Sequence, residues 1–153
     1  MYVNAQADYA VRAVVELADS SQARPRKLEE IASSQAIPAS ILPSILMQLR
    51  NAGVVRSQRG HNGGYWLALP ANQLYLSSVI RAVGGPLVDV RAQAPEEIAY
   101  VGAAATLQQV WVALDASLRK VLESVTVADV VAGELPRDTL ALIRDAQRSG
   151  AVP

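Results

Sequence analysis

Arg59-Gly60-His61-Asn62-Gly63-Gly64 puts a guanidinium, the chain's one imidazole and an amide between glycines. A second set, Ser40, Ser44, Met47 and Asn51, recurs at spacings of four, three and four. At about 100° per residue these four share one side of a helix. Their common chemistry is hydrogen bonding and positive charge offered at a surface, to which Arg56 adds a further cation. It is not the chemistry of a catalyst. The chain has no cysteine nucleophile, and its single histidine stands outside any His, Asp or Glu cluster with metal-ligand spacing. The glycine-rich stretch also lacks the lysine and the following helix of a phosphate-binding loop. No catalytic residue, metal site or cofactor is expected.

The elements that position these residues follow from periodicity. Leu42, Ile45, Leu46 and Leu49 fall at i, i+3, i+4 and i+7, a buried helical stripe opposite the Ser40–Asn51 set. Leu28, Ile31 and Ala32 mark a preceding helix, separated from it by a break at Gln35-Ala36-Ile37-Pro38. Two short helices joined by a tight turn form a helix-turn-helix, whose second helix offers its outer face to a partner. Val54–Gln58 and Tyr65–Leu69 are β-rich runs on either side of the glycine-rich turn, which predicts a hairpin. A helix-turn-helix followed at once by a hairpin is a winged helix. Arginine on a flexible glycine tip suits a narrow, electronegative minor groove. The plainer alternative is a solvated hairpin beside an ordinary helical pair.

Charge favours the first reading. Formal net charge is zero, with 14 basic and 14 acidic residues. Their distribution is uneven: no Asp or Glu occurs from Ile31 to Val88, whereas Arg50, Arg56, Arg59 and Arg81 do. An acid-free stretch of this length removes repulsion towards phosphate.

These residues resemble the Rrf-two family of bacterial winged-helix transcription regulators. The resemblance rests on Tyr9-Ala10-Val11-Arg12-Ala13, Ile31-Ala32, Leu42 to Arg50 and Ala52-Gly53-Val54-Val55-Arg56-Ser57. It continues through Arg59-Gly60, Gly63-Gly64-Tyr65-Trp66-Leu67, Val79 to Val83, Gly85-Pro86-Leu87 and Val125 to Asp129, nearly the whole chain. It implies a homodimeric, sequence-specific regulator, more often a repressor, that binds double-stranded DNA at an imperfect palindrome. DNA contacts are expected from Ser40, Ser44, Met47, Asn51, Arg56, Arg59, His61, Asn62, Gly63 and Gly64. Cluster-bearing members take cysteine ligands from the segment after Gly-Pro-Leu and a non-cysteine ligand from the first helix, where Asp8 stands. With no cysteine here, the family's means of building an iron–sulfur cluster is missing. Pro43 stands where several members carry a base-reading side chain, which leaves readout to Ser40 and Ser44 or implies other base preferences.

The expected fold is mainly α with a small β-hairpin wing, a winged helix-turn-helix plus a long dimerisation helix. Residues 1–86 would form the DNA-binding domain, 87–104 a connecting or sensing loop, and 105–153 a helical dimerisation region. Asn4 should cap a first helix to about Ala18, with Val11, Val14, Val15 and Ala18 inward. Ser20–Lys27 reads as a polar linker. Ser77 or Ser78 should cap a helix over Val79–Val83 that stops at Gly84-Gly85-Pro86. Thr106-Leu107-Gln108-Gln109 has the pattern of a capping box. Leu107, Trp111, Leu114, Leu118, Val121 and Val125 then follow as a heptad seam. That seam fits a two-fold dimer, or the internal core of one chain. A short helix ending at Gly133 and a last amphipathic helix from Pro136, with Leu140, Leu142 and Ile143, complete the chain. No basic signal start and no apolar run near membrane-spanning length occur, consistent with a cytoplasmic protein. The competing function is a protein-interaction module whose DNA binding depends on a partner protein or small effector.

Overall fold

A computed structural model describes residues 3–150, in which seven α-helices and one two-stranded antiparallel sheet are found. The first helix, α1 (Ala5–Glu16), starts where the Asn4 side chain accepts a hydrogen bond from the Ala7 amide at 2.8 Å. That cap satisfies one of the free amides of the first turn. Its inward face is centred on Ala7, Ala10, Ala13, Val14 and Leu17. Val11, Val15 and Ala18, expected on that face, are only half-buried at its margins. The alanines let α1 lie close against α4 (Leu76–Gly84), its most extensive helical neighbour.

Helix α2 (Leu28–Gln35) ends as Ala36 turns left-handed (φ 50°), and the Ile37 amide bonds back to the Ala32 carbonyl at 2.9 Å. Ile37 is thereby driven into the core. Helix α3 (Leu42–Asn51) buries Leu42, Ile45, Leu46 and Leu49 completely, as their spacing required. Pro43 sits in the first turn, where a missing amide costs little. The hairpin follows as β1 (Val55–Gln58) and β2 (Gly64–Leu67), in the register Val55–Leu67, Arg56–Trp66, Ser57–Tyr65 and Gln58–Gly64. It is shorter than expected at its open end, where Leu69 is exposed.

Helix α4 begins at Leu76, so neither Ser77 nor Ser78 is its cap, and Ser77 is buried inside it. The physical reason lies far along the chain. Leu76 N donates to Val125 O at 3.0 Å and Val127 N donates to Leu74 O at 2.8 Å. Backbone from a distant segment does what a serine cap would otherwise do.

The stretch from Asp89 to Ala105 forms a strap with short 3-10 turns at Pro95–Glu97 and Gly102–Ala104. Pro95 and Ile98 are buried. The long helix α5 (Leu107–Leu122) is preceded by Thr106 in a helical conformation (φ −79°, ψ −10°), with no side-chain cap. The capping box expected there is absent, because a cap requires an extended residue. One forms instead at α6 (Val127–Ala132). There the Thr126 hydroxyl accepts from Asp129 N at 3.1 Å and the Asp129 carboxylate accepts from Thr126 N at 2.7 Å. Val125, expected on the seam of the long helix, lies beyond its end and is buried, at 3% exposure. Helix α7 (Arg137–Arg148) leaves Leu140, Leu142 and Ile143 exposed. No helix among the described residues is long and apolar enough to cross a membrane.

Candidate nucleic-acid interface

Helix α3 presents Ser44, Met47 and Asn51 to solvent, and Ser40 lies exposed in the turn before it. The buried leucine–isoleucine stripe holds the helix fixed while this side stays free. Ser44 donates its hydroxyl hydrogen to the Ile41 carbonyl at 3.2 Å, so what it offers outward is a hydrogen-bond acceptor.

Arginines of the region sort into two classes. Arg12 pairs with Asp8 at 3.1 Å and donates to the Gln35 carbonyl at 2.8 Å. Arg26 pairs with Asp19 at 3.3 Å and Glu16 at 3.7 Å. Arg81, expected to add to the positive stretch, pairs with Glu123 at 2.7 Å and ties α4 to the end of α5. Arg50, Arg56 and Arg59 form no ion pair among the described residues. All three are exposed. Arg50 reaches the Ser57 hydroxyl at 3.4 Å, a long contact linking the end of α3 to β1. Arg50, Arg56, Gln58 and Trp66 line one open recess, with Gln22 across from them. Arg50 counts among the cations of the acid-free stretch but, unlike Arg56, is not among the expected contact residues.

The wing tip places His61, Asn62 and Gly63 beside Lys27 and Pro25, so the polar linker before α2 forms one wall of a second recess. Arg26 and Tyr65 exchange backbone bonds at 2.9 and 2.8 Å, giving the hairpin a third, one-residue partner. This explains the two glycines. A Cβ at Gly64 would stand 2.5 Å from the Arg26 carbonyl oxygen, and one at Gly63 would stand 2.1 Å from that of Gln58. Gly63 is buried. Both were expected to admit a foreign surface, but what crowds them is the chain's own backbone.

The Rrf2 family model, described as "Iron-dependent Transcriptional regulator", matches residues 3–133. Rv1287 of Mycobacterium tuberculosis (strain H37Rv), named as a candidate HTH-type transcriptional regulator, is 42% identical over 145 residues, covering 95% of this chain and 90% of that protein. Among solved structures, CymR of B. subtilis, titled the global cysteine regulator, superposes with a TM-score of 0.71 at 26% identity, covering 86% of this chain and 97% of that one. IscR of T. potens superposes at 0.68 and 28% identity, covering 87% and 88%.

The donor set here does not fit the iron of that description. The chain has no cysteine, and among the described residues no group of three or more His, Asp or Glu gathers that could hold an ion. Asp8 is exposed and engaged by Arg12. The fold, the family match and its coverage nonetheless agree: the chain belongs to the Rrf2 family and is a winged-helix transcription regulator.

Proposed function

We propose that the chain is a cytoplasmic, homodimeric repressor that reads an imperfect DNA palindrome, one half-site per subunit. The observation that carries this reading is that Arg50, Arg56 and Arg59, on α3 and the wing, form no ion pair among the described residues and lie in an acid-free stretch, while Arg12, Arg26 and Arg81 are each paired with a carboxylate. Unpaired surface cations are what phosphate neutralisation uses. Ser40, Ser44, Met47 and Asn51 face the major groove in this reading, and Ser44, its proton already given to Ile41, accepts from an exocyclic amine of cytosine or adenine. Arg56 meets the backbone, Arg59 enters the flanking minor groove, and His61 and Asn62 line its edge. Gly63 and Gly64 shape the tip that carries them.

Pairing of subunits runs through α5, where Leu107, Trp111, Leu114, Leu118 and Val121 are all only half-buried within one chain. Residues 87–104 connect the reading and pairing parts. The test is selection of genomic fragments by the purified protein, followed by anisotropy titration at several salt concentrations. A shared palindromic site bound two subunits per duplex, with affinity falling steeply in salt, is expected. Fragments with no common sequence, or one subunit per site, would remove the reading.

A further inference from the structure

Iron finds no fitting donors in this chain, yet the strap from Asp89 to Ala105 is held against α5. The Trp111 indole donates to the Tyr100 hydroxyl at 3.0 Å. The Gln108 amide donates to the Glu96 carbonyl at 2.8 Å. The Arg91 guanidinium lies 5.7 Å from the centre of the Tyr100 ring. Pro95 and Ile98 of the strap are buried, and Asp115, paired with Arg119, is the one buried residue of α5. Arg91 and Ala92 both adopt positive φ, 55° and 61°, a costly conformation for residues with side chains. That turn is closed locally, by the paired backbone bonds of Val90 and Gln93 at 3.0 and 3.1 Å and by the Asp89 carboxylate accepting from the Ala92 amide at 3.3 Å, so what remains for the contacts with α5 to hold is the rest of the strap.

We infer that the strap is closed by a protein-only clasp, Tyr100–Trp111 and Glu96–Gln108 with Arg91 over the ring, and that DNA binding by this chain is independent of iron. No group in the clasp is a thiol or an imidazole, so it offers neither a thiolate for disulfide exchange nor a thiolate or imidazole ligand for iron. The second half of the inference rests on the DNA-binding reading; the first does not.

Two measurements on the full chain test it. The protein is incubated with ferrous iron without oxygen, passed through gel filtration and analysed for metal. Operator affinity is then compared with and without a ferrous chelator. Iron well below one atom per chain and an affinity unchanged within twofold are expected. Stoichiometric iron surviving the column, or a tenfold change on chelation, would overturn iron independence. For the clasp, Tyr100→Phe removes only the hydroxyl that Trp111 uses, and cleavage by trypsin after Arg91 is followed by mass spectrometry. A several-fold faster cut at that bond, with an unchanged circular dichroism spectrum, is expected, because proteolysis reports local opening. Trp111→Phe removes the donor instead and should give the same acceleration. Cleavage at the wild-type rate in both variants would overturn the clasp. Metal content and cleavage are read without DNA, so failure of the DNA-binding reading itself would show separately.

Discussion

Gly63→Ala should damage the wing while sparing the core. Gly63 donates to the Gly60 carbonyl at 3.0 Å, closing the tip. An alanine Cβ there would meet the Gln58 carbonyl oxygen at 2.1 Å, the Arg59 carbonyl carbon at 2.8 Å and the Gln58 carbonyl carbon at 2.9 Å. Carbon–oxygen contacts settle no closer than about 3.3 Å, so the tip must open by roughly 1 Å. The atoms in the way are backbone, and no side chain can swing aside. Opening strains the Gln58–Gly64 pair, one end of the short ladder, and breaks the Gly60–Gly63 bond. Two such bonds at about 1 kcal/mol each, with residual distortion, give a cost of roughly 1–3 kcal/mol. For a domain of this size each kcal/mol lowers the melting temperature by about 2–4 °C. Calorimetry should therefore show a drop of about 2–12 °C. Fluorescence anisotropy on an operator duplex should show a larger effect, at least about tenfold, since misplacing a contact group by 1 Å is costly wherever geometry decides. If the variant melts and binds as the wild type does, the tip is not closed by this contact and the reasoning fails.

Other perturbations separate reading, pairing and folding. Arg59→Ala should weaken operator binding by roughly 1–3 kcal/mol with little change in melting, because the tip buries little; equal affinities in a titration would take Arg59 out of the interface. Glu at both Leu114 and Leu118 places carboxylates in the proposed subunit contact, at a cost of several kcal/mol per buried charge. Analytical ultracentrifugation beside circular dichroism should show a folded monomer with weak DNA binding, whereas an intact dimer would move the interface elsewhere. Hydrogen bonds from the Thr126 amide and hydroxyl hold the Asp129 carboxyl below its ordinary value of 3.8. A depressed folded-state pKa stabilises above the unfolded value and is lost as pH falls through the folded one. Urea midpoints of wild type and Asp129→Asn should thus differ at neutral pH and converge below about pH 3.8; a gap that persists in acid would mean the charge is not what Asp129 contributes.

Legibility followed the range over which each signal acts. The α3 stripe was readable because four large aliphatics at helical spacing have one solution, burial. Ala7, Ala10 and Ala13 were not, since alanine sits equally well in water and core, and only the nearness of α4 decides. The two Thr-x-x patterns show the same limit: Thr106 and Thr126 look alike in sequence, but only Thr126 is extended, held so by pairing with Tyr75. The wing's residues were found and their spatial order was not. Gly63 and Gly64 are demanded by Gln58 and Arg26, and the second of these lies far outside the hairpin. Asp115 and Arg119 are an ordinary i,i+4 pair on paper. In the folded chain the Asp115 side chain is only 5% exposed, which the spacing alone does not announce.

The backbone exchange of Leu74 and Leu76 with Val125 and Val127 has a consequence for how the protein comes into being. Val127 is completely buried in the cluster that also contains Leu42, Leu49 and Val79. A ribosome-bound chain that has extruded the whole winged helix but not yet α6 therefore lacks one wall of that cluster, and the Leu76 amide and the Leu74 carbonyl wait unpaired. Closing them requires the strap and α5 to be in hand first, a long loop whose ordering must precede its reward. The DNA-reading half is in this sense the last part to be finished, although it is the first to be made. A fragment ending near residue 86 should be a poor stand-in for it, and a nascent regulator cannot hold a stable reading surface until α5 has already been synthesised.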